Sequence, residues 1–211
     1  MRIGLLGGTF NPPHLAHLVL AECARDALAL DRVLLVLAPR PPHKVVDGDP
    51  GPEERLALCH AAVAGEERRL EVCDVELHRE GPSYTADTLA ELRALRPDDE
   101  FVLLLGGDAA AGLGAWHRPH DVLSFAAVAV AERGDDGHRR ARAALRELGA
   151  EDRFLPFAMP PMGLSSTLIR ARVRAGETIH HLVPAGVEQR IVDQGLYRVT
   201  EGGSRNGPEP A

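Results

Sequence analysis

Apolar residues in this chain fall into short continuous runs, separated by longer stretches in which they recur every three or four positions. The first run, Arg2–Leu6, closes on Gly7-Gly8 and reads as a buried strand. Thr9-Phe10-Asn11-Pro12-Pro13-His14 follows, then an apolar-periodic stretch from Leu15 to about Leu30. Asn11 suits an N-cap and the prolines suit a first helical turn, so the pattern predicts strand, glycine turn, helix. The alternation continues. Arg32–Leu37, Leu70–Leu77, Glu100–Leu105, Ala126–Ala131 and Phe154–Phe157 predict strands. Pro52–Ala64, Thr85–Leu95, Asp136–Leu148, Ser166–Ala175 and Ala185–Gln194 predict helices.

Strands separated by helices of this length imply right-handed crossovers and a parallel sheet. Runs as uniformly apolar as RVLLVL fit a sheet covered on both faces. The expected fold is therefore α/β, a doubly wound and mainly parallel sheet with a small helical C-terminal portion. Residues 1–200 are expected to form one domain, and 201–211, rich in Gly and Pro, a disordered tail. Ligands of such sheets bind outside the carboxyl ends of the strands, where strand order reverses. Two segments lie at such ends: residues 7–14, and Gly106-Gly107-Asp108.

Composition narrows the function classes. Lys and Arg number 24 against 31 Asp and Glu, a net charge of −7. That argues against a binder of nucleic-acid polymers, whose affinity comes mainly from phosphate neutralisation, but not against a local anion pocket. No run approaches the roughly 18 apolar residues of a membrane span. The opening apolar run is too short for a secretory signal, and Cys23, Cys59 and Cys73 show no CxxC spacing. A cytoplasmic protein with buried or idle thiols is expected. Homo-oligomerisation is left open.

Two constellations carry chemistry. In the first, the glycines fall as Gly4, Gly7 and Gly8, which is not the dinucleotide fingerprint, and no Gly-Lys pair exists for a P-loop. It does place His14 and His17 three apart at a helix start, on one face, beside amides that attract anions. Stabilising a phosphate, ligating a metal or acting as general base are all open to such a pair. Zinc is disfavoured, because Cys23 lies six residues past His17 on a different face and four ligands are needed. In the second constellation, Ser165, Ser166 and Thr167 open a helix that continues through Arg170. Hydroxyls, amides and a guanidinium at one helix start can hold a polyphosphate without a P-loop. The cluster Arg139, Arg140 and Arg142, like Arg133, reads as a solvated face.

GGTFNPPHLAH together with SSTLIR resembles the paired signatures of the nucleotidyltransferase α/β phosphodiesterase superfamily, (H/T)xGH and (I)SSTxxR. More narrowly, the chain resembles the bacterial nicotinate-nucleotide adenylyltransferases. Further matching segments occur in that family's order: residues 41–44 (PPHK), Glu54-Arg55-Leu56, residues 83–89 (SYTADTL), Gly106-Gly107-Asp108, Trp116, Leu182-Val183-Pro184 and Gly195-Leu196-Tyr197. Two departures stand out. Ala16 occupies the place of the usual Gly between the histidines, and Gly107 the place of an Ala or Ser, a lost methyl that should be tolerated.

The resemblance implies a cytoplasmic enzyme of NAD biosynthesis with ATP and nicotinate mononucleotide as substrates. It also implies Mg²⁺ carried on the phosphates rather than in a protein site. His14 and His17 would be the catalytic contacts to the ATP phosphates. Gly7, Gly8, Thr9 and Phe10 would let backbone approach the nucleotide, and Gly106 and Asp108 would border the adenosine. Ser165, Ser166, Thr167 and Arg170 would hold the β- and γ-phosphates. On the acceptor side, Trp116 would stack on the pyridine ring, Thr85 and Tyr84 would form the carboxylate pocket, and Lys44 would approach the mononucleotide phosphate.

Overall fold

A computed structural model describes residues 1–40, 48–132 and 136–198. Lys44, Arg133 and the tail from 201 lie outside the described residues. Six strands form one parallel sheet: β1 (Arg2–Gly8), β2 (Arg32–Leu37), β3 (Leu70–Cys73), β4 (Glu100–Gly106), β5 (Ala126–Glu132) and β6 (Phe154–Ala158). Their order is β3-β2-β1-β4-β5-β6. The order reverses between β1 and β4, so the carboxyl ends of those two strands flank the crevice.

Between the strands lie α1 (Leu15–Ala27), α2 (Pro52–Val63), α3 (Thr85–Leu95), α4 (Gly107–Ala111), α5 (Pro119–Phe125) and α6 (Gly137–Glu147). Alternate residues of each strand feed opposite faces. Ile3, Leu5, Phe101, Leu103, Val128 and Val130 pack with Leu89 of α3, Val122 of α5 and Leu145 of α6. Leu6, Val33, Leu35, Val102 and Leu104 pack with Leu20 and Ala24 of α1 and Cys59 and Val63 of α2. A third apolar cluster joins the outer face of α2, through Leu58 and Ala62, to the last two helices, α7 (Ser166–Arg174) and α8 (Ala185–Asp193). Glu54 of α2 also takes Arg190 of α8 in a two-pronged contact at 2.5 and 2.9 Å.

Several boundaries depart from the sequence pattern. The first helix begins at Leu15 with His14 at the N-cap, not at Asn11. A helix capped by Asn11 would use that residue's carbonyl for the Leu15 amide. Instead the Asn11 carbonyl accepts from Arg170 and the Leu15 N–H donates to Leu182 O. Tertiary partners have taken both groups. Strand β3 stops at Cys73 rather than Leu77, because the chain turns there with Leu77 N–H donating to Asp74 O. The short helices α4 and α5 were not foreseen, since five and seven residues show little periodicity.

Gly107 has a specific steric reason. A Cβ there would lie 2.7 Å from the Cα of Gly137, where α4 and α6 cross backbone to backbone, whereas a Cβ on Gly106 meets nothing within 4 Å. Gly107→Ala should therefore cost about 1–3 kcal/mol, the scale of an overpacked contact, while Gly106→Ala should stay within about 0.5 kcal/mol. Urea unfolding of the two variants checks the contrast. Cys59 is fully buried, and loss of water around the thiol pushes its pKa up to about 12. Because the thiolate is the reactive form, iodoacetamide at neutral pH should leave Cys59 unmodified in the folded protein and label it after unfolding, as peptide mass mapping would reveal.

Candidate active site

The Gly-rich turn follows directly from the end of β1. Gly8 pairs with Leu37 in the sheet, and a Cβ at Gly8 would press against the Phe10 ring at 3.1–3.3 Å. Phe10 itself adopts a left-handed φ of 45°, unusual for a bulky residue. It is almost fully buried and meets the His17 ring edge-on, centroids 5.1 Å apart. The Asn11–Pro12 bond is cis, and the chain reaches α1 by way of His14.

His14 caps that helix and His17 stands at its third position. The backbone N–H of His14 donates to Nδ1 of His17 at 3.2 Å, the returning half of a capping box. A neutral His17 must then carry its proton on Nε2, which makes that nitrogen a donor. The two imidazoles stack at 3.8 Å. The two histidines thus form one stacked plate at a helix start.

The second helix start lies against the first. Ser165 caps α7, its Oγ accepting from the Leu168 N–H at 3.1 Å. Ser166 donates its hydroxyl to Pro12 O at 2.8 Å, tying α7 to the turn. Arg170, 7% exposed, donates from Nη1 to Asn11 O at 2.7 Å and from Nη2 to Thr167 Oγ1 at 3.4 Å. Bonds of this kind divide the hydroxyls by role. The proton of Ser166 is committed to Pro12, whereas Ser165 and Thr167 accept from within the protein and keep a proton to donate outward. Arg170 braces the turn from beneath instead of lining the cleft. Its burial lowers the guanidinium pKa through desolvation.

Gly8, Thr9, Phe10, His14, Ala16, His17 and Ser165 to Thr167 wall one cleft of about 390 Å³, with Leu20 and Leu164 completing it. Ala16, with its methyl, is part of that wall. Gly7 is the penultimate residue of β1, next to Gly8 of the cleft wall. Gly106 ends the neighbouring β4 and caps α4, and Asp108 follows in the first turn of α4, paired with Arg140 at 2.7 Å. Arg140 is exposed, as a solvated face implies, and its surface pair with Asp108 adds little stability.

The remaining candidates form a separate group. Tyr84 caps α3 and Thr85 opens it. Tyr84 stacks on His117 at 4.3 Å, and Arg118 pairs with Asp87, so the segment carrying Trp116 is fastened to the start of α3. Trp116 is half-buried against the sheet's core. His117 was assigned no role from sequence; one adjacent tryptophan was the available signal. Among the described residues no group of three His, Cys, Asp or Glu converges as a metal cage.

The brace on the turn can be tested on stability. Arg170→Met removes the donor to a buried carbonyl and should cost about 1–3 kcal/mol, measured by denaturant unfolding. Thr167→Val removes only a long contact and should cost less.

Residues 5–172 match the cytidylyltransferase-like family. A relative from Trichlorobacter lovleyi described as "Probable nicotinate-nucleotide adenylyltransferase" is 40% identical, covering 94% of this chain and 100% of the relative. One from Thermus thermophilus with the same description is 41% identical, again over 94% and 100%. The solved structure of Plasmodium falciparum nicotinic acid mononucleotide adenylyltransferase complexed with NaAD shares the fold, with a TM-score of 0.69 at 19% identity over 93% of this chain and 97% of that one. With its glycine turn, its paired helix starts and the lengths of its relatives all in agreement, the chain belongs to the cytidylyltransferase-like family and, within it, to the nicotinate-nucleotide adenylyltransferases.

Proposed function

We propose that the chain transfers the adenylyl group of ATP to nicotinate mononucleotide, giving deamido-NAD and pyrophosphate, by direct in-line attack without a covalent enzyme intermediate. The observation that carries this reading is the shared cleft in which the His14–His17 plate faces the start of α7. A phosphate oxygen of the mononucleotide forms the new bond to the α-phosphorus, and the bond to the β-bridging oxygen breaks, with pyrophosphate taking the electron pair. The acceptor brings an ionised oxygen of its own, so alignment and charge stabilisation remain for the protein to supply.

In this reading Nε2–H of His17 donates to the α-phosphate as charge builds, and His14 holds the plate against the adjoining phosphate. Ser165, Thr167 and the first amides of α7 hold the β- and γ-phosphates, where the helix start favours negative charge. Ser166 and Arg170 hold the two helix starts at fixed separation. Gly7, Gly8, Thr9 and Phe10 admit the nucleotide close to backbone, and Gly106 and Asp108 border the adenosine. Trp116, Tyr84 and Thr85 receive the pyridine ring and its carboxylate. The cleft offers imidazoles and hydroxyls in place of a carboxylate cage, a donor set suited to Mg²⁺ held by the phosphates themselves. When bound there, Mg²⁺ neutralises phosphate charge. The reading places the chain in the cytoplasm.

Incubation with ATP, Mg²⁺ and nicotinate mononucleotide should yield dinucleotide and pyrophosphate in equal amounts; their absence overturns the proposal. His17→Ala should slow turnover about 10²-fold or more, the scale of a lost transition-state donor. Replacing the acid mononucleotide by its amide should cut kcat/KM steeply, because donors arranged for a carboxylate are left badly paired. Equal rates on the two would remove Thr85 and Tyr84 from the recognition of the carboxylate.

A further inference from the structure

Among the described residues Arg55 is the largest of the fully buried side chains, and it is charged. It projects from the first turn of α2 in line with Cys59 and Val63, the residues by which the helix packs on the sheet. Its Nη1 donates to Thr9 O at 2.8 Å and to Ala38 O at 2.9 Å, and its Nη2 to Pro39 O at 2.8 Å. Nε donates to Asp49 Oδ1 at 3.1 Å, and the same oxygen accepts from the Gly51 N–H at 3.0 Å. A guanidinium has a fixed planar fork, and here it joins three carbonyls from two separate chain segments. Burying a charge is costly unless such partners satisfy it.

The two segments lead to opposite sides of the site. Thr9 belongs to the glycine turn that walls the cleft. Ala38 and Pro39 continue β2 into Arg40, whose carbonyl accepts from Ser83 N–H at 3.3 Å, immediately before Tyr84 and Thr85. The Ala38 N–H in turn donates to Gly8 O at 2.9 Å. An unbroken path thus runs from the glycine turn, through one guanidinium, to the loop that opens α3.

We infer that Arg55 is a positioning residue that sets the distance and orientation between the ATP-binding turn and the acceptor-binding loop. The inference rests on the proposed adenylyl transfer for its kinetic consequence, but not for its structural one. A planar fork holds both segments in one frame. An ammonium carries the charge but cannot span three carbonyls in a plane. Misalignment of two reactants by about 1 Å costs about 10²-fold in rate.

Arg55→Lys tests it against the unaltered protein, with Asp49→Asn as a milder second variant that keeps the fork and removes its anionic partner. Arg55→Lys should lower kcat at least tenfold while KM for ATP changes less than about threefold, and Asp49→Asn should move kcat in the same direction by less. Amide hydrogen exchange should quicken in both variants within residues 7–14 and 82–86 together, with little change in α6 and β5. Unchanged kcat in folded Arg55→Lys overturns the inference, as does faster exchange confined to α2 or to one of the two loops. Should Arg55→Lys fail to fold, Asp49→Asn alone decides by the same two readouts. If the unaltered protein makes no dinucleotide, the adenylyl-transfer reading fails, and the paired exchange response still decides the role of Arg55.

Discussion

The turn between β1 and α1 is held by side chains that reach it from far along the chain. Its Thr9 carbonyl takes Arg55, its Asn11 carbonyl takes Arg170 and its Pro12 carbonyl takes Ser166. Two prolines in the turn have no N–H of their own to offer, so these external donors supply partners that a regular helix or strand would find within itself. The position of His14 and His17 follows from this arrangement. So does the orientation of His17, whose Nδ1 is engaged by the backbone at the end of the same turn.

Charge is distributed in keeping with that structure. The chain as a whole carries −7, yet the cleft is walled by imidazoles, hydroxyls and helix-start amides. The Arg170 guanidinium is engaged by Asn11 O and Thr167 Oγ1. On the proposed reading a phosphate bound there would meet dipoles already oriented before reaction, the arrangement that electrostatic preorganisation requires. Arginines on α6 are spent elsewhere, on Asp108, Asp136 and Glu151. Glu151, gripped by Arg146 and Arg142, is held well down the carboxylate range, at about 2.

Strand positions and the parallel, doubly wound order were legible because runs such as RVLLVL and EFVLLL are buried on both faces and leave no other reading. The grouping of residues 165–167 with the histidines came from the family resemblance, which pairs the two motifs, since each motif alone describes only its own helix start. What could not be read was set by distant partners. Asn11 looked like a cap because the claim of Arg170 on its carbonyl, 159 residues away, leaves no local trace. The loss of a methyl at Gly107 is accommodated as expected, but the reason, close contact with Gly137 on another helix, could not be read. Arg55 did leave a signal, an arginine on the apolar stripe of an amphipathic helix, but a stripe alone does not say which carbonyls wait beneath it.

The bond from Ser166 to Pro12 spans 154 positions, and the Leu15 amide waits for the carbonyl of Leu182. During synthesis, a chain leaves the ribosome N-terminus first at about 5–20 residues per second. A nascent polypeptide that has reached residue 160 already displays its glycines and both imidazoles, yet it lacks every donor that α7 contributes. The glycine turn is thus made well before Ser166 and Arg170 exist to hold its carbonyls, and a product truncated before residue 165 would carry the motif without the braces that fix its shape.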